Sequence, residues 1–149
     1  MKLYEQLVEA YLTQVEGCAV IPQLQLHHAA TGDVWSARVD FLALDFASRT
    51  LHIVQVSSSR KLEKAVQLAK TLAESHRGRL EAGIREGPLR GELADWTFCW
   101  RFFVRAGLID VLGCEDLVAS YRDQRGEPAG IVALEQVFNA VRDRLDRMS

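Results

Sequence analysis

Apolar residues recur every three or four positions near both ends of the chain and alternate or cluster in its middle. Leu3, Tyr4, Leu7, Val8, Tyr11, Leu12 and Val15 make one stripe, which predicts a helix from about Leu3 to Glu16. Gly17 stops it, as a left-handed C-terminal residue does. Cys18 to His28 reads as a first strand, with Pro22 marking an irregular start or a sheet edge, and Thr31-Gly32-Asp33 as a loop. Two apolar runs, Val39–Leu44 and Leu51–Val56, flank the polar joint Asp45–Thr50 and predict a β-hairpin covered on both faces. Ser57-Ser58-Ser59 then leads, as an N-cap, into a helix that buries Leu62, Ala65, Val66, Ala69, Leu72 and Ala73.

Beyond that helix the pattern loosens from His76 to Arg90, where Leu80 and Ile84 keep helical phase. Asp95 to Arg105 alternates cleanly. Trp96, Phe98, Trp100, Phe102 and Val104 fall on one face of a strand, Thr97, Cys99, Arg101, Phe103 and Arg105 on the other. The tryptophans interleave with core-type residues, which favours sheet packing over base stacking. Gly107–Leu112 is a short apolar segment, Glu115–Arg122 a short helix, and Arg125–Gly130 a turn. Ile131, Leu134, Phe138, Val141, Leu145 and Met148 predict a closing amphipathic helix. The elements therefore run α-β-β-β-α-β and then C-terminal helices, an α/β (α+β) domain with a mixed sheet of about four to five strands.

Composition narrows the class. A chain of 149 residues with 48% hydrophobic content fits one globular domain over 1–149, with a core to about residue 112 and a helical extension over about 113–149. No apolar run approaches the roughly 18 residues of a membrane helix, so no membrane partner is expected. Cys18, Cys99 and Cys114 lie far apart without metal-finger spacing and read as small buried side chains in a reduced, cytoplasmic setting. His27 and His28 are adjacent on a strand, so they point to opposite faces and cannot chelate one ion together. A net charge of −2 means that any nucleic-acid contact must come from a local patch. Such a patch exists between Arg60 and Arg90, where eight basic side chains, Arg60, Lys61, Lys64, Arg77 and Arg79 among them, face four glutamates.

The hairpin carries the candidate chemistry. Asp40 sits in one buried run, and Gln55 in the other, followed by Ser57. An isolated carboxylate is costly to bury, so Asp40 needs a partner, a metal or a wet cleft, and Arg38 two residues earlier is a candidate partner.

Over roughly the first two thirds of the chain, the element order and the stretch ARVDFLALDFASRTLHIVQVSSSRKLEKAVQLAKTL resemble the PD-(D/E)XK nuclease superfamily, including its Holliday-junction-resolvase type, with a restriction-endonuclease-like core. The resemblance puts Asp40 at the family aspartate, Gln55-Val56-Ser57 at the acid-x-lysine, and Glu5 or Glu9 at the first-helix glutamate. In such nucleases the acids hold magnesium, which activates water, and the lysine assists. Here Gln55 is a poorer magnesium ligand than a carboxylate and Ser57 lacks lysine's reach and charge. The resemblance thus implies a degenerate site, with no cofactor, in a nucleic-acid-binding or assembly module. Two alternatives stand beside it. One is an active magnesium-dependent nuclease that holds metal with Asp40 and recruits Glu63 with Lys61 or Lys64 from the next helix. The other is a protein–protein module or homodimer with no nucleic-acid partner.

Overall fold

The computed structural model describes residues 2–30, 33–75, 81–82, 91–93, 95–113 and 130–148. The first helix is α-helical over Leu3–Ala10 (α1) and widens into a π turn over Tyr11–Val15. The Thr13 hydroxyl donates to the Glu9 carbonyl at 2.9 Å, a competition for helix acceptors that loosens the α ladder. The Glu16 N–H then reaches back five residues, to Tyr11 O at 3.1 Å. Gly17, at φ 72°, turns the chain into the sheet.

Five strands follow in the spatial order β1-β2-β3-β4-β5. They are β1 (Ala19–Ala30), β2 (Asp33–Asp45), β3 (Thr50–Val56), β4 (Thr97–Val104) and β5 (Ile131–Ala133). The first three form an antiparallel meander, whereas β4 runs parallel to β3, and β5 parallel to β4. Pro22 falls on β1, an edge strand, where its missing N–H costs no internal ladder bond. The β2–β3 joint closes on Asp45, whose Oδ1 accepts from the Ala47 N–H at 3.1 Å. The expected α/β class and the mixed sheet flanked by helices are both present.

Each face of the sheet has its own core. On one, Leu42, Leu44, Leu51, Ile53, Trp96, Trp100, Phe102 and Val104 pack against Leu62, Ala65, Val66 and Leu68 of α2 (Leu62–Ser75). On the other, Phe41, Ala43, Val54, Val56 and Phe103 meet Val8 and Leu12 from the first helix and Leu134, Val137 and Val141 from the last. The alternation of β4 is obeyed, and Trp100 on the strand and Trp96 just before it are core residues. A 3-10 turn over Ala106–Leu108 and a short α3 (Ile109–Gly113) follow β4.

The closing helix differs from expectation at its start. Ile131–Ala133 is β5, and helix α4 runs Leu134–Met148. The Phe102 N–H donates to Gly130 O at 2.7 Å, so β4 captures the segment before the helix begins. Within α4 the side chains turned to the core are Leu134, Val137 and Val141, whereas Phe138, Leu145 and Met148 are exposed. The helix expected over Glu115–Arg122 lies outside the described residues, as do Leu80 and Ile84. No described helix is long and apolar enough to cross a membrane.

Candidate functional site

The sheet opens at the carboxyl end of β3 into a cleft of about 460 Å³. Its walls are Lys2, Tyr4 and Glu5 at the start of α1, Val56 to Ser59 where β3 ends, and Lys64 and Leu68 on α2. Parallel strands β3 and β4 both end here, and the carboxyl ends of parallel strands are where open α/β sheets leave room for ligands. Arg105 braces one side. Its Nε donates to Ser58 O at 3.2 Å and its guanidinium lies 4.5 Å from the centre of the Tyr4 ring. Ser59 Oγ accepts from the Lys61 N–H at 3.1 Å, so the serine closes a turn ahead of α2, and Lys61 stands in the capping position expected for a serine.

Among the described residues, Asp40 on β2, Gln55 on β3 and Ser57 just past β3 are buried polar side chains, at 6%, 9% and 8% exposure. The β2–β3 ladder reaches Phe41 and Val54, and Asp40 and Gln55 lie one step beyond it. At that step the Asp40 side chain replaces a main-chain partner: Oδ2 accepts from the Val56 N–H at 2.8 Å. The Ser57 N–H donates to Phe103 O at 2.9 Å, carrying the β3–β4 pairing one residue past the strand. Gln55 Oε1 is buried with no hydrogen-bond donor among the described residues.

The cleft collects some of the candidate residues and not others. Glu5, Ser57 and Lys64 line it, and Asp40 stands behind it through Val56. Glu5 also serves its own helix, since Oε2 accepts from the Lys2 N–H at 3.4 Å. Glu9 is half-buried further along α1 and does not line the cleft, nor do the exposed Lys61 and Glu63. Arg60 lines a neighbouring hollow with Arg105 and Glu135. Arg77, Arg79 and the side chain of Arg38 lie outside the described residues. As a magnesium site the donor set is poor: among the described residues Asp40 is the one carboxylate on these strand ends, it already holds a main-chain N–H, and Gln55 is a neutral amide.

A second polar cluster sits at the opposite end of β3, on the face that packs against the first helix. Arg101 Nη1 donates to Glu16 Oε1 at 2.6 Å, with the two side chains only 12% and 24% exposed. Burial, followed by the nearby Glu16 carboxylate, pushes the Tyr11 phenol and the Cys18 thiol up. Burial, with Arg101 next, pushes the His52 imidazole down, towards its neutral form. Cys99 stands beside His52 in the parallel β3–β4 register. Sequence spacing carried no sign of this cluster, because Glu16, His52 and Arg101 come from three separate elements. The sequence holds two clues to it: the alternation of β4, which puts Cys99 and Arg101 on one face, and His52, which interrupts the apolar run Leu51–Val56.

No protein-family model matches the sequence, and no curated protein matches it.

Proposed function

We propose that this domain binds nucleic acid through phosphate contacts in the β3 cleft and does not cleave it. The observation that carries the reading is the lining of the cleft: two lysines, Lys2 and Lys64, one glutamate, and three consecutive serines ahead of α2. Lysines with hydroxyl and main-chain donors near a helix N-terminus suit a phosphate. The excess of positive charge is small and local, which fits modest, salt-sensitive binding by a chain of net charge −2. The acid-x-lysine positions hold Gln55 and Ser57, and the remaining aspartate supports a strand end, so the reading includes no hydrolytic step. The likeness of element order to the PD-(D/E)XK superfamily supports the same reading, as a nuclease-like scaffold without the nuclease chemistry.

Metal-dependent cleavage is the second reading. It is favoured by Lys64, which lines the cleft beside Ser57, and by the buried Gln55 Oε1, which has no donor among the described residues.

Fluorescence anisotropy with labelled single-stranded and duplex oligonucleotides, over a salt series, tests the proposal. Lys64→Ala is expected to weaken binding to all sequences alike and to lower the slope of log affinity against log salt by about 1. Absence of binding even at low salt overturns the proposal and leaves a protein-partner module. Magnesium- or manganese-dependent cleavage that Asp40→Ala abolishes replaces it with the second reading.

A further inference from the structure

We infer that Glu16, Cys18 and His52 form a binding site for a divalent cation of the zinc type. One donor atom from each, a carboxylate oxygen, a thiol sulfur and an imidazole nitrogen, lies within 4.8 Å of the other two. Zinc bonds of about 2.0–2.3 Å set tetrahedral ligand atoms about 3.5 Å apart, so closing the site takes about 1 Å of side-chain adjustment. The backbone already gathers the donors. The left-handed Gly17 turns the chain sharply between Glu16 and Cys18, and β3 presents His52 to them. The Cys18 N–H is held by Leu12 O at 2.8 Å across the widened end of the helix.

An independent observation points to a ligand. His52 Nδ1 is buried and has no hydrogen-bond partner among the described residues. Buried polar atoms are nearly always satisfied, and an ion is a recognised partner for one that is not. The donor chemistry selects the cation: thiolate and imidazole favour zinc over magnesium or calcium. A Cys18 thiolate and the Glu16 carboxylate offset the two charges of a zinc ion, and with Arg101 paired to Glu16 the cluster carries a net charge of +1. Arg101 and Tyr11 hold that carboxylate from behind, as outer contacts orient ligating carboxylates. Three protein ligands leave a fourth position for water or for a ligand. This site is independent of the proposed phosphate cleft. His52 and Ser57 are five residues apart along β3 and its extension, about 16 Å at the rise of a strand.

Cobalt(II) titration of metal-free protein, followed by displacement with zinc, tests the inference. The expected result is one cobalt per chain, with a thiolate-to-cobalt charge-transfer band and the intense visible bands of a tetrahedral site. Cys18→Ser should abolish the charge-transfer band. His52→Ala should weaken binding by at least about 100-fold, the upper end of what losing an outer-shell partner does. Cys99→Ser, which removes the neighbouring thiol, should leave the band intact. The inference is overturned if the unaltered protein gives no charge-transfer band, or if the band survives Cys18→Ser and vanishes in Cys99→Ser. If circular dichroism shows that Cys18→Ser does not fold, the titrations of the unaltered protein and of His52→Ala decide.

Discussion

Replacing Asp40 separates a structural carboxylate from a catalytic one. Asp40 is 6% exposed, and its Oδ2 accepts the Val56 N–H at 2.8 Å. Asp40→Ala removes that acceptor where water cannot easily replace it, and an unsatisfied buried donor costs about 1–3 kcal/mol. Asp40→Asn keeps a carbonyl oxygen for the Val56 N–H and loses the charge assistance of that bond, worth about 1 kcal/mol. With a urea slope of about 2 kcal/mol/M, the unfolding midpoint should fall by about 0.5 M for the asparagine variant and about 1 M for the alanine variant. Tryptophan fluorescence reads the transition, because Trp96 and Trp100 are buried in the core. Magnesium should leave the difference unchanged. An alanine variant as stable as the parent, or more so, would refute the reasoning, since that is how a carboxylate kept for catalysis at the expense of stability behaves. A loss of about 3–5 kcal/mol would point instead to a stranded charged partner, for which Arg38 is the candidate.

Two further outcomes follow from the packing. Phe103 is fully buried and meets Tyr11 edge-on at 6.2 Å, so Phe103→Ala should cost about 3–5 kcal/mol in urea unfolding; a loss under about 1 kcal/mol would show that the first helix does not rest on this face. Gly17→Ala meets no steric obstacle but must hold φ near 72°, so it should destabilise by about 1–2 kcal/mol and also loosen cobalt binding, by displacing Glu16 from Cys18; unchanged melting and unchanged cobalt affinity would contradict both.

The elements whose apolar period is long and uninterrupted were legible: the first helix, the hairpin, α2 and the alternating β4 strand. Their class and order depend on side-chain periodicity, which local residues settle. The apolar period predicts one helix to Glu16, whereas its last turn is π-helical, and the Thr13 hydroxyl, which competes for a helix carbonyl, sits inside a pattern that is apolar and regular. Ile131–Ala133 continued the phase of α4 so well that it read as helix. Only the neighbouring β4 makes it a strand, through main-chain bonds that have no sequence period.

The sequence alone placed Asp40 and Gln55 as polar residues within two mainly apolar runs on adjoining strands, with Ser57 just past the second run, and all three are buried. It also determined the mixed α/β class, through the order of the two periodicities. Tertiary structure alone decided that Glu5 and Lys64, 59 residues apart, line one cleft with Ser57. It also decided that Glu16, Cys18 and His52 converge at the other end of β3. Both gatherings depend on strand register and on where the helices end, and these are fixed by contacts between residues distant in the chain. A carboxylate, a thiol and an imidazole come within reach of one ion only once those contacts have formed.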